Sequence, residues 1–189
     1  MKIKKAWAMP NGDTFKIKPI KEFIETHIFQ NAIIVEPFAG NSIYGNVTND
    51  INPDKPSIYH MDALEFLNML PENSADFVLY DPPYSLHQAV EIYNSFGAEL
   101  FDSHVGNMQY WSRCKDRIAK IVKPNGKCLC FGWNTNGIGS KRCFEMNEIL
   151  IVSHGGSRND TLCTLETKIA DGKINQISQE MIRHNKRLF

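Results

Sequence analysis

The apolar run Phe77-Val78-Leu79-Tyr80 ends at Asp81-Pro82-Pro83-Tyr84, and no other stretch limits the possible folds of this chain as strongly. Two successive prolines hold φ at about −65° and withdraw two backbone N–H donors, so neither a ladder nor a helix passes through them. The run therefore reads as a buried strand that stops in a stiff corner. That corner collects an acid, the Pro82 carbonyl with no competing local partner, and an aromatic ring. Such a set grips a flat ring that carries an amino group.

The same pattern of apolar run and acidic stop recurs along the chain. Ala32-Ile33-Ile34-Val35 runs into Glu36-Pro37-Phe38-Ala39-Gly40, Asn46-Val47-Thr48-Asn49 ends at Asp50, and Ser57-Ile58-Tyr59-His60 ends near Asp62. Residues 63–70 have helical spacing. A longer helical pattern through Trp111, Cys114, Ile118, Ile121 and Val122 stops at the turn signal Pro124-Asn125-Gly126, and Lys127 to Trp133 comes next as a strand. Residues 148–152 and 161–165 flank Gly155-Gly156-Ser157-Arg158 as a closing hairpin. The alternation predicts an α/β fold with a mainly parallel seven-stranded sheet, right-handed crossovers, helices on both faces, and the hairpin as an antiparallel edge. No linker or repeat interrupts it, so residues 1–189 are expected to form one domain.

Ligands of such open sheets sit beyond the carboxyl ends of the strands. Glu36, Asp50, Asp62 and Asp81 are all expected on that edge, as acceptors for ribose hydroxyls, an exocyclic amine or an ammonium group. Gly40 lets the backbone approach a ligand without a side chain in the way.

Charge and cysteine content narrow the partners. Net charge is zero, yet the first 21 residues hold six lysines (Lys2, Lys4, Lys5, Lys16, Lys18, Lys21) against Asp13, and Arg183, Lys186 and Arg187 repeat the bias near the end. Both ends are read either as phosphate contacts or as solvated termini. No run is long and apolar enough to span a membrane and the start lacks a signal peptide's apolar stretch, so a cytoplasmic protein without membrane contact is expected. Five cysteines without CxxC spacing argue against a disulfide framework or a zinc ribbon, and no metal is expected. Cys128 and Cys130 share one strand face as small core residues.

The glycine turn, the acids and the proline corner together resemble the amino-methyltransferases that modify exocyclic nitrogens of nucleobases in DNA, in particular the N6-adenine-specific enzymes of bacteria and phages. The resemblance covers most of the chain. It implies the Rossmann-like class I methyltransferase fold and S-adenosylmethionine as cofactor. Glu36-Pro37-Phe38-Ala39-Gly40-Asn41-Ser42 is similar to the turn that holds the methionine part, with Ser42 in place of the second glycine. By the same likeness Asp50 takes the ribose hydroxyls, Asp62 the cofactor's adenine amino group, and Asp81 faces both cofactor and substrate. The segment Thr14 to Ile20, with Lys18-Pro19, looks like the one that closes over the methionine end. Its order, cofactor turn before proline corner, is that of the adenine enzymes and not of the circularly permuted group.

The likeness further implies a flipped-out adenine stacked on Tyr84 beside Pro83, with its amino group held by Asp81 and the Pro82 carbonyl while the nitrogen attacks the methyl. Asp81 orients and stabilises there, because an aspartate is far too weak a base to deprotonate an aromatic amine first. The chain has no room for a separate target-recognition domain. Recognition is expected from two inserts, residues 85–110 and 153–160. The first carries His87, Tyr93, Phe96, Phe101, His104 and Tyr110, read as base-stacking aromatics or as short helices packed on the sheet. The second carries Arg158, read as a phosphate or base-edge contact or as a plain hairpin tip. Duplex DNA is the expected partner, with RNA an alternative, and the enzyme would work as a monomer or homodimer, alone or with a helper protein. A phage or restriction-modification setting fits the small size. N4-cytosine, RNA adenine, guanine N2 or glutamine side chains are alternative acceptors, the last two going with asparagine at the position of Asp81. A non-catalytic binding module is the alternative of a different class.

Overall fold

The computed structural model describes residues 1–95, 108–156 and 158–169. Phe96, Phe101, His104, Arg183, Lys186 and Arg187 lie outside the described residues.

The run before the proline corner forms β4 (Ala75–Tyr80), and its side chains alternate between two cores. Phe77 and Leu79 face one side, where α1 (Lys18–His27) buries Ile20, Phe23 and Ile24 against the sheet. Val78 and Tyr80 face the other, where α2 (Ala63–Met69) and α4 (Met108–Ile121) pack. A strand covered on both faces has no polar side to show, which is why its sequence is apolar without alternation. β2 (Ile34–Glu36), β3 (Val47–Thr48) and β5 (Val122–Gly132) run parallel to it in the order β5-β4-β2-β3.

β6 (Phe144–Ser153) and β7 (Thr161–Lys168) form the expected hairpin, but it is not the sheet's edge. The full order is β1-β6-β7-β5-β4-β2-β3, with β7 as the strand antiparallel to its neighbours. The outer place belongs to β1 (Lys2–Trp7), which pairs in parallel with β6 from Lys2↔Glu148 to Trp7↔Ser153. The lysine-rich start is therefore a strand, its lysines exposed as suits a charged edge that resists further pairing. Ser57–His60, expected as a strand, contributes the isolated bridge Asn49↔Tyr59. The sheet has seven strands, as expected, with β1 taking the place assigned to residues 57–60.

The turn signal at Pro124-Asn125-Gly126 lies inside β5. The ladder to β4 jumps from Ala75↔Val122 to Phe77↔Lys127, and the extra residues bulge out with Asn125 at φ 64°. α3 (Leu86–Ser95) occupies the start of the first insert. Among the described residues no helix is long and apolar enough to cross a membrane, and no cluster of three metal-ligating side chains occurs.

Candidate active site

β2 and β3 end side by side, and the chain leaving β2 folds into the glycine turn against the end of β3. Ala39 N–H donates to the Asn49 carbonyl (2.9 Å), Gly40 N–H to Asp50 Oδ2 (2.8 Å) and Ser42 N–H to the Ala39 carbonyl (2.8 Å). Asn49, fully buried, ties the turn to the loop before α2. Its Nδ2 donates to the Pro37 and Met61 carbonyls (3.1 and 3.0 Å) and its Oδ1 accepts from Met61 N–H. Gly40 sits at φ 53°, a left-handed conformation that favours glycine, and a Cβ placed there would meet nothing within 4 Å. The turn is thus braced from below and open above.

Above it lies a cavity of about 900 Å³ along the carboxyl edge of the sheet, lined by the glycine turn, the Asp50–Lys55 loop, the proline corner, α3, the start of α4, the exit of β5 and the β6–β7 loop. Residues 10–17 form one side, including the single 3-10 turn Thr14–Lys16, whose Phe15 packs on Phe131 with centroids 4.9 Å apart. Of the residues singled out in the sequence, Pro37, Phe38, Gly40, Asp50, Asp81, Pro82, Pro83, Tyr84, Tyr93, Tyr110 and Arg158 line this cavity.

Five others do not. Glu36 is fully buried beneath the turn: Ser42 Oγ donates to its Oε1 (2.8 Å), and burial pushes its carboxyl up to about 7 against the lowering effect of hydrogen bonds from Ser42 and the Gly45 backbone. A Cβ on Gly45 would stand 2.8 Å from Glu36 Cγ, so the acid fills the space under the turn. Ser42, which replaces a glycine of the expected pattern, therefore points inward to the acid. Asp62 is the N-cap of α2, where Oδ1 accepts from Leu64 and Glu65 N–H (2.9 and 3.1 Å) and Oδ2 takes the Tyr110 hydroxyl (2.7 Å). Lys18 and Pro19 open α1, with Lys18 exposed and 4.0 Å from Glu22. His87 is exposed on α3, 3.2 Å from Glu91.

The corner is held by side-chain and backbone hydrogen bonds and a ring contact. The Tyr84 hydroxyl donates to Asp81 Oδ1 (2.6 Å), and Tyr84 N–H donates to Gln88 Oε1 (2.7 Å). The Tyr84 ring meets Trp133 in a T-shaped contact with centroids 5.8 Å apart. Burial pushes the Asp81 carboxyl up to about 6, against the lowering effect of the Tyr84 hydrogen bond, and burial together with the Asp81 charge holds the phenol well above its ordinary range.

Sequence reasoning missed Trp133, Trp111 and Asn49. Trp133 is the first residue past β5, the position on its strand that Asp81 holds on β4, so inspecting the residue after every parallel strand would have found it. Trp111, which packs on Phe38 with centroids 5.9 Å apart, reads in the sequence as part of a helix face and nothing more. Asn49 carries the one signal of a buried polar residue at a strand end.

No family model matches the chain. A stretch of 105 residues, half of this chain, is 26% identical to the type II methyltransferase M.BamHI of Bacillus amyloliquefaciens and spans 24% of that protein's length. Among solved structures the fold is similar to a 1,6-didemethyltoxoflavin-N1-methyltransferase of Burkholderia thailandensis, solved with 1,6-didemethyltoxoflavin and S-adenosylhomocysteine (TM-score 0.55, 12% identity, 81% of this chain and 78% of that one). It is also similar to a SAM-dependent methyltransferase of Methanosarcina mazei (0.52, 9%, 79% and 98%). TrmN of Thermus thermophilus is a third (0.51, 10%, 81% and 49%). The fold is that of the class I methyltransferases.

Proposed function

We propose that this chain transfers a methyl group from S-adenosylmethionine to the exocyclic amino nitrogen of a nucleobase in DNA, and specifically to N6 of a flipped-out adenine. The observation that carries the reading is that one cavity is lined both by the glycine turn with Asp50 and by Asp81-Pro82-Pro83-Tyr84. A volume of about 900 Å³ lies at the upper end of ordinary ligand sites, which suits a cofactor and a base together.

The donor set fits the cofactor. Gly40 offers open backbone where a side chain would intrude, the Asp50 carboxylate accepts hydroxyl protons, and Phe38 and Trp111 supply apolar wall. When bound, S-adenosylmethionine would supply a methyl on a cationic sulfur, a strong electrophile that needs no metal. Asp81 Oδ2 and the Pro82 carbonyl accept one hydrogen bond each from the amine and turn its lone pair toward that methyl. Transfer of that methyl would leave a surplus proton on the nitrogen and a neutral thioether on the cofactor, and Asp81 takes the proton and passes it to water. Most of the acceleration comes from alignment of the reacting atoms. Tyr84 and Pro83 wall the base, and Arg158 on the β6–β7 loop reaches the phosphates.

Transfer of labelled methyl to duplex DNA, single-stranded DNA and RNA, with digestion to nucleosides, tests this directly. The expected result is N6-methyladenine from DNA, lost by at least a thousandfold in Asp81→Ala while cofactor affinity stays within about threefold. Near-normal turnover by Asp81→Ala would overturn the mechanism, and label in cytosine or in RNA would move the acceptor.

A further inference from the structure

The proposed transfer uses the ring of Tyr84, yet the hydroxyl of that residue is engaged as well. It gives its single proton to Asp81 Oδ1 over 2.6 Å, a short distance typical of a charge-assisted bond. Thr14 Oγ1 lies 3.5 Å from the same phenol oxygen, and its hydroxyl also acts as a donor that lowers the Asp81 carboxyl, so Thr14 backs both members of the pair. The backbone bond to Gln88 and the edge contact with Trp133 fix the rest of the residue. Four parts of the fold thus converge on one residue: the 3-10 turn, the corner and the exit of β5 meet its side chain, and α3 holds its backbone.

A carboxylate in a corner that burial makes unfavourable for charge gains from a fixed donor twice. The bond stabilises the anion, and it stops rotation of the carboxylate plane. With Oδ1 occupied, Oδ2 is the oxygen left for a ligand. We propose that the Tyr84 hydroxyl, backed by Thr14, is the positioning group for Asp81 and presents one carboxylate oxygen to the substrate amine. This rests on Asp81 being the amine acceptor of the proposed reaction. Glu36 on β2 and the Cys163 thiol on β7 also interact electrostatically with Asp81, and both stay in place when the phenol is replaced.

The test needs no substrate. Carbon-13 NMR of the carboxyl groups, with the Asp81 signal assigned by its disappearance in Asp81→Asn, tracks its titration in the free protein. The wild-type midpoint is expected at about 6. In Tyr84→Phe it should move upward by about one pH unit, the size of one charge-assisted hydrogen bond, and in Thr14→Val by less in the same direction. In turnover, the acid limb of kcat should move upward with it and kcat fall about tenfold at neutral pH, while KM for DNA stays within about threefold because the ring is kept. An Asp81 titration identical in wild type and Tyr84→Phe would overturn the proposal, as would a rise in KM with kcat and midpoint unchanged. A shifted midpoint in a protein that methylates no nucleobase would support the positioning role and reject the substrate.

Discussion

At the scale of single residues the fully buried Glu36 sets a pH dependence that has nothing to do with chemistry at the methyl. Its carboxyl is raised to about 7 chiefly by burial, whereas in the unfolded chain it titrates near the ordinary glutamate value. Between those two values the folded state holds a proton that the unfolded state has lost, so stability falls as pH rises through this window and levels off above it. The cost amounts to a few kcal/mol for one fully buried carboxyl. Glu36→Gln keeps an oxygen for the Ser42 hydroxyl and removes the titration. Urea denaturation at pH 5 and pH 8 should show wild type losing stability at the higher pH and Glu36→Gln losing much less, and equal losses in the two proteins would place the titrating group elsewhere.

Among the elements, α2 and α4 are joined at both ends of α2: Asp62 caps its start and holds the Tyr110 hydroxyl of α4, and Arg117 of α4 donates to the Leu67 and Leu70 carbonyls at its end. Resemblance assigns Asp62 to the cofactor, while the structure shows it engaged in capping, and substitution separates the two roles. Asn is as good an N-cap as Asp, so Asp62→Asn should keep the melting temperature and lose cofactor affinity only if the carboxylate reads the ligand. Asp62→Ala should cost about 1 kcal/mol for the cap alone, more with the loss of the Tyr110 contact. Calorimetry with S-adenosylmethionine on both variants gives the answer, and unchanged affinity in Asp62→Asn would confine Asp62 to structure. The parallel core was legible in the sequence because β4 and the second half of β5, Cys128 to Gly132, are buried on both faces and read as apolar runs, and β2 continues one. β1 was not, since a charged edge strand has no apolar face to announce it and its pairing with β6 spans the length of the chain. Ser57–His60 carried strand-like residues, but Pro53 and Pro56 around its entry leave it a single bridge. At the cavity, the acids after β3 and β4 were legible from their place at a strand end, whereas Asn49 and Trp133, which also follow strands, were not, because neither carries a charge that marks it. The inward turns of Glu36 and Ser42 were hidden, because sequence does not show on which side of a turn an acid falls.

On the scale of the whole molecule, the strand order gathers residues far apart in sequence at one sheet edge, and net neutrality bears on how the proposed nucleic acid would be met there. A chain with no net charge gains little from general attraction, so contact with phosphate must come from a few placed cations. Arg158 is exposed on the β6–β7 loop at the cavity wall, beside Gly155 and Gly156, both at positive φ. The slope of log K against log salt for duplex DNA should therefore be shallow, and Arg158→Ala should reduce it by about one while weakening binding to all sequences alike. Cofactor affinity should not change if Arg158 serves the nucleic acid alone. Fluorescence anisotropy with a labelled duplex across a salt series measures the slope. An unchanged slope in Arg158→Ala would remove this loop from the phosphate contact, and a change confined to one base sequence would make Arg158 a reader of a base edge.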